Sequence, residues 1–175
     1  PLFGLLHTDL TKFCKSSISV SSQKLPSSIP FATSNILMAD DDEDDRLLTV
    51  DALAESRVLN NLFCVEDGVE LLEFLRHEGK YTDPASAPRP SLILLDLNMP
   101  RKDGREALQE LKNDPKLRSI PVVILTTSKE EEDMLRGYDL GCASYITKPV
   151  NFEGLVELMR ALGRYWIEFV ELPSE

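Results

Sequence analysis

Cysteine, histidine and basic residues are all scarce in this 175-residue chain, and each shortage narrows what it can be. The three cysteines, Cys14, Cys64 and Cys142, show no metal-ligand spacing, and their odd number argues against a disulfide framework. Cys64 lies in an apolar run and reads as a small buried hydrophobe. The two histidines, His7 and His77, have no partners in the sequence. Lys and Arg number 19 against 30 Asp and Glu, and the net charge of −11 argues against nucleic acid, which is bound through basic side chains. No apolar run approaches the ~18–20 residues of a membrane span. There is no internal repeat. What remains is a soluble globular chain with 42% hydrophobic and 28% charged residues, long enough for one domain. A reducing, cytoplasmic setting is expected.

Residues 1–33 differ from the remainder. They hold seven serines (Ser16, Ser17, Ser19, Ser21, Ser22, Ser27 and Ser28), three lysines and a single acid, Asp9. The other residues therefore carry 16 basic and 29 acidic side chains, a net −13. A Ser-rich, acid-poor leader can be a transit peptide, but arginine is missing. A poorly ordered leader, upstream or vector-encoded, is the preferred reading, with residues 34–175 expected to form the folded domain with an extended C-terminal helix.

From Asn35 onward apolar strand-like runs alternate with helical ones. NILMAD, LFCV, SLILLD, PVVILTT and ASYIT read as five strands. Between them lie helices from Asp44 to Asn60, in GVELLEFLRHEG, in GREALQELKN and in KEEEDMLRGYDL, and a last helix runs from about Phe152 to Val170. The Pro-rich KYTDPASAPRP is a loop, long for a connection of this kind. The alternation predicts an α/β fold: a doubly wound, five-stranded parallel sheet with helices on both faces.

In such sheets ligands bind beyond the carboxyl ends of the strands. Strand one ends at Asp40-Asp41, strand three at Asp96, strand four at Thr126-Thr127 and strand five at Lys148-Pro149. With the order 2-1-3-4-5, three carboxylates, a hydroxyl and an ammonium converge on one edge. Clustered carboxylates repel unless a cation neutralises them, and a hard ion such as Mg2+ suits their oxygens. An aspartate beside Mg2+ and a lysine is equipped to attack phosphorus and form an acyl phosphate.

ILMADDDEDDR, LILLDLNMPRKDG, VVILTTS and YITKPV resemble, in order and spacing, the receiver domain of two-component response regulators. The resemblance implies that Asp96 is the phosphoacceptor, supplied by the phosphohistidine of a histidine kinase or by a phosphotransfer protein. It implies that Asp41 binds Mg2+ directly, Asp40 largely through water, and Asn98 through its backbone carbonyl. It further makes Thr126 the switch hydroxyl, Lys148 the lysine that steadies the phosphoryl group, Tyr145 the switch aromatic, and the Lys148–Pro149 bond cis. DLNMPRKDGREAL, DPKLRSIPVVILTTS and YWIEFVELP are similar to the single-domain regulators paired with phytochrome-type histidine kinases, whose final helix supports dimers.

Glu43, Asp44 and Asp45 read as a solvated acidic cap on a helix N-terminus. An EF-hand fails because its sixth position is Asp45 rather than Gly and its twelfth Asp51 rather than Glu. A haloacid-dehalogenase-like phosphatase needs a second acid where Asn98 stands. A receiver-like binding module without phosphotransfer is the remaining alternative. The receiver resemblance further implies that Asn98 and Ser128 flank the attack path and that Thr127 is bulkier than the Ala or Gly common at its position. In the last helix Phe152, Leu155, Val156, Met159, Leu162, Trp166 and Phe169 form a core stripe. Leu158, Tyr165 and Ile167 fall outside it and suggest a homodimer interface. Neither catalytic turnover of an external substrate nor DNA-directed output is expected.

Overall fold

The computed structural model describes residues 34–56, 60–127 and 131–169, without the side chains of 131–133, 135 and 167–169. Strands β1 (Ser34–Ala39), β2 (Asn60–Val65), β3 (Leu92–Leu95), β4 (Val122–Thr126) and β5 (Ser144–Thr147) form one sheet in the order β2-β1-β3-β4-β5. Every pairing is parallel. Helices α1 (Glu43–Ser56), α2 (Gly68–Arg76), α3 (Gly104–Asn113), α4 (Glu131–Asp139) and α5 (Phe152–Gly163) alternate with the strands. This is the doubly wound sheet that the sequence pattern predicts. Among the described residues no helix is long and apolar enough to cross a membrane.

Successive strand residues face opposite sides, and both sides are packed. Leu37, Ala39, Ile93, Leu95, Val122 and Ile124 join Leu71 and Phe74 of α2 and Leu108 and Leu111 of α3. Ile36, Met38, Leu92, Leu94, Val123 and Leu125 join Ala52 and Leu53 of α1 and Val156, Met159 and Leu162 of α5. Burial on both faces is why the central strands read as unbroken apolar runs.

Polar side chains set where three helices begin. Asp67 accepts the amides of Val69 and Glu70, Asp103 those of Arg105 and Glu106, and Asn151 that of Gly154. Each meets backbone N–H groups that have no partner inside the helix. Asp42 does the same for α1, its Oδ1 accepting from Asp44 N at 2.9 Å.

Several boundaries differ from expectation. Helix α1 stops at Ser56, because Asn60 pairs with Ser34 and opens β2. Helix α2 ends at Arg76, where His77 takes a left-handed conformation (φ 56°) and its N–H meets the Glu73 and Phe74 carbonyls. The Pro-rich connection is pinned: the Tyr81 ring packs edge-on to Phe74 at 5.0 Å and its hydroxyl donates to Glu70 at 2.6 Å. Ala87 is buried with them. Helix α5 passes at Arg164 into a wider π-helical turn, Arg164–Phe169. Leu158 lies partly buried against the core on the α1 and α5 side, not outside the apolar stripe, because the α1 flank widens the face that α5 covers. Tyr165 is exposed, whereas the Ile167 and Phe169 side chains lie outside the described residues. All described peptide bonds are trans, Lys148–Pro149 included, contrary to the expected cis bond. Trans is the lower-energy isomer of an X–Pro bond by about 0.5–1 kcal/mol, and here Lys148 N still reaches the Thr126 carbonyl at 2.8 Å.

Candidate functional site

Three residues stand one step beyond the last residue of their strands, each held there by a further backbone hydrogen bond. Asp40 N donates to Val65 O at 3.1 Å, Asp96 N to Ala39 O at 2.9 Å, and Lys148 N to Thr126 O at 2.8 Å. The sheet thereby sets the positions of two carboxylates and an ammonium on one edge. Asp40 and Asp96 are nearly sealed, at 1% and 6% exposure, and the Lys148 side chain is at 13%. So the polar groups sit in a depression of the strand ends rather than on an open surface.

Lys148 Nζ occupies the middle. It donates to Asp40 Oδ2 at 2.7 Å and to Asp45 Oδ2 at 2.6 Å, and lies 3.8 Å from Asp96 Oδ1. Burial alone would lower its pKa, but the bonds to Asp40 and Asp45 and the charge of Asp96 prevail and hold it well above the usual lysine value. Asp40 is shifted the other way from a simple ion pair. Burial raises its pKa and the Asp96 charge adds to the rise, against the lowering by Lys148 and the Asp42 amide. The two shifts agree once the lysine is seen as shared among three carboxylates, with Asp40 the most deeply buried.

The loop after β3 is shaped for the same site. Leu97 and Met99 point into the core while Asn98 between them is exposed. Asn98 N donates to Asp96 Oδ2 at 2.9 Å, which orients that carboxylate. The loop returns tightly: Gly104 N donates to Leu97 O at 2.9 Å. A Cβ on Gly104 would stand 2.1 Å from the Asp96 carbonyl oxygen, so only glycine fits there. On the other flank Arg101, left-handed at φ 61°, pairs with the buried N-cap Asp67. Gly68 N donates to Lys102 O at 3.1 Å. These contacts tie the β3–α3 loop to the start of α2.

Of the other expected site residues, Thr126 is fully buried at the end of β4 and Tyr145 is half-buried on β5 against the core. Asp41 is exposed beside the site. Ser128 lies outside the described residues. Two participants escaped sequence reasoning. Asp45, read as a solvated helix cap, turns its carboxylate to Lys148. Arg46 donates to the Asp40 carbonyl at 2.6 Å and approaches Glu66 at 3.9 Å. Their signal was an acid and a base one turn into the helix that follows a catalytic-looking strand end.

The donors available to a cation are the carboxylates of Asp40, Asp41 and Asp96 and the Asn98 carbonyl, the hard oxygen set that divalent ions take. Among the described residues no three His, Cys, Asp or Glu side chains are drawn together as a metal cluster. The Lys148 ammonium stands where a cation would compete for Asp40. These oxygens fit a hard divalent ion in chemistry rather than as a ready-made cluster, and Asp41, next in sequence to Asp40, adds an exposed carboxylate.

Comparison with known proteins agrees with this geometry. The response regulator receiver domain model matches residues 36–160. Response regulator Rcp1 of Synechocystis sp. is 41% identical over 139 residues, spanning 79% of this chain and 92% of that protein. The phosphorylated cyanobacterial phytochrome response regulator RcpA is similar in structure, with a TM-score of 0.75 at 44% identity over 82% of this chain and 100% of that one. The Mn2+-bound form of Rcp1 gives a TM-score of 0.72 at 40% identity, covering 81% and 99%. A sheet of order 2-1-3-4-5, an Asp–Asp–Lys cluster at its carboxyl edge and these matches lead to one conclusion: the chain belongs to the response regulator receiver family.

Proposed function

We propose that Asp96 accepts a phosphoryl group from the phosphohistidine of a phytochrome-type histidine kinase, or of an intermediate phosphotransfer protein. The observation that carries this reading is the Lys148 ammonium, 3.8 Å from Asp96 Oδ1 and bonded to the buried Asp40 at the same sheet edge. An Asp96 carboxylate oxygen attacks phosphorus, so that a P–O bond forms as the P–N bond breaks and the imidazole nitrogen keeps the electron pair. Lys148 offers positive charge to the oxygens of the group in transit. Asp41, Asp96 and the Asn98 carbonyl, with Asp40 largely through water, would hold Mg2+, which would supply further charge neutralisation. The manganese form of Rcp1 supports a divalent ion for this family.

The acyl phosphate then acts as a switch. The buried Thr126 hydroxyl moves toward the new charge and Tyr145 takes up the space it leaves. Contacts made by the phosphoryl group in one state only shift the population. The contact surface so altered serves a protein partner, with the C-terminal helix and Tyr165, Ile167 and the flank of Leu158 as a homodimer surface. Residues 34–175 form this receiver unit, and the chain works in the cytoplasm. To test the reading, a phytochrome-type histidine kinase is labelled with radioactive ATP and mixed with this chain. Label should pass to the chain, be released by hydroxylamine as an acyl phosphate is, and be missing from Asp96→Asn. Hydroxylamine-resistant label, or label retained by Asp96→Asn, overturns it.

A further inference from the structure

We infer that Asp45 is a positioning residue for the phosphoryl transfer: its carboxylate holds Lys148 off Asp96. The inference rests on the receiver reading above and assigns a role to a residue outside the acidic pair. Asp45 lies in the first turn of α1, 103 positions from Lys148 in sequence, yet the contact is 2.6 Å and as short as the one to Asp40.

A lysine ammonium has three N–H donors. Asp40 accepts one and Asp45 a second, which sets the direction of the third. Asp96 Oδ1, at 3.8 Å, is beyond hydrogen-bond length but well within Coulomb attraction. That gap serves the reaction in two ways. The attacking oxygen keeps its lone pairs free of a close ammonium, and space remains for an oxygen of the arriving phosphoryl group beside Nζ. Without Asp45 the flexible lysine is drawn onto Asp96, its next carboxylate, and both benefits are lost. Asp45 is itself anchored, its backbone N–H on Asp42 Oδ1 at 3.3 Å and its carbonyl accepting from Thr49 Oγ1 at 2.9 Å.

The test compares Asp45→Ala, Asp45→Asn, Lys148→Ala and the Asp45→Ala/Lys148→Ala pair with the unaltered chain. Phosphorylation by acetyl phosphate is followed over a Mg2+ series, with 15N–1H spectra of the Lys148 ammonium recorded in parallel. Asp45→Ala should slow phosphorylation about tenfold, a fraction of the loss typical for a removed charge-stabilising donor. Asp45→Asn, which still accepts a hydrogen bond, should restore most of the rate. The Mg2+ midpoint should stay within about twofold, and Asp45→Ala should cost nothing further once Lys148 is gone, as expected when one residue acts through another. The ammonium signal should broaden into solvent exchange in Asp45→Ala. An unchanged or faster rate, an additive loss in the Lys148→Ala background, or a slowdown explained by the Mg2+ midpoint overturns the role. If the unaltered chain takes no phosphoryl group, the receiver reading falls and the role with it, whereas normal labelling with an indifferent Asp45→Ala removes the Asp45 role alone.

Discussion

Gly104→Ala is a single added carbon placed against the backbone that carries Asp96. Its Cβ would meet the Asp96 carbonyl oxygen at 2.1 Å, the Leu97 Cα at 2.9 Å and the Asp96 carbonyl carbon at 3.0 Å. None of these is the yielding end of a side chain, so the loop itself must move by roughly 1 Å. Overpacking usually costs about 1–3 kcal/mol, and a backbone clash belongs at the top of that range. Alanine returns about 0.5–1 kcal/mol of helix preference, leaving a net loss of ~2 kcal/mol. For a chain of this size that lowers Tm by roughly 4–8 °C. The functional loss should exceed the stability loss, because a ~1 Å misplacement at a reacting centre can cost about a hundredfold. Thermal melts and acetyl phosphate labelling at 25 °C, where the variant remains folded, measure the two effects. Gly141→Ala is the control: its φ is +89° but the nearest atom to an added Cβ is 3.7 Å away. It should cost about 1–2 kcal/mol through backbone strain alone and leave labelling unchanged. A Gly104→Ala chain with unaltered Tm and unaltered labelling would refute the idea that close loop return fixes Asp96.

Further outcomes follow from other contacts. Asp67→Asn keeps the α2 cap but loses the charge pairing with Arg101, whose 61% exposure makes the pair weak. Its Tm should therefore fall less than that of Asp67→Ala, which also forfeits ~1 kcal/mol of capping, and equal losses in calorimetry would reverse that ranking. Burial would raise the Glu70 carboxyl, but bonds from Lys80, Tyr81 and the Glu66 amide hold it below its ordinary 4.5. A depressed acid contributes stability above its unfolded pKa and loses it as pH falls through the folded one. Urea melts of Glu70→Gln should accordingly lose less stability than the unaltered chain between neutrality and pH values below about 4.5; parallel curves would remove Glu70 from the acid limb. Tyr165→Ser with Ile167→Ser should sediment as a monomer that still accepts label, and an unchanged mass by ultracentrifugation defeats the proposed dimer surface.

Much of the fold was legible because parallel strands buried on both faces leave continuous apolar runs, as in Leu92–Leu95 and Val122–Thr126. The ends of the first, third and fifth strand runs located Asp40, Asp96 and Lys148, and the structure sets Lys148 within hydrogen-bond distance of Asp40 and ion-pair distance of Asp96. Less visible was whatever depended on pairing between distant segments. Asn60 has little strand preference and reads as the end of a helix, yet its pairing with Ser34 makes it a strand residue. Asp45 carries the ordinary mark of a helix start, and only the return of the chain at Lys148 gives it a partner. The Asp67–Arg101 pair is hidden for the same reason. Leu158 was placed by a narrow helical stripe, whereas the flank of α1 buries a wider one. The Lys148–Pro149 isomer came from resemblance rather than from any force in the sequence, and the structure has it trans.

The central claim is that the carboxylate at the end of β3 becomes an acyl phosphate, and intact mass spectrometry tests it most directly. The chain is incubated with acetyl phosphate and Mg2+, alongside Asp96→Asn and a metal-free sample. The account predicts a gain of one phosphoryl group that requires both Asp96 and the metal. A chain that stays unmodified, or an Asp96→Asn variant that gains the same mass, would contradict it.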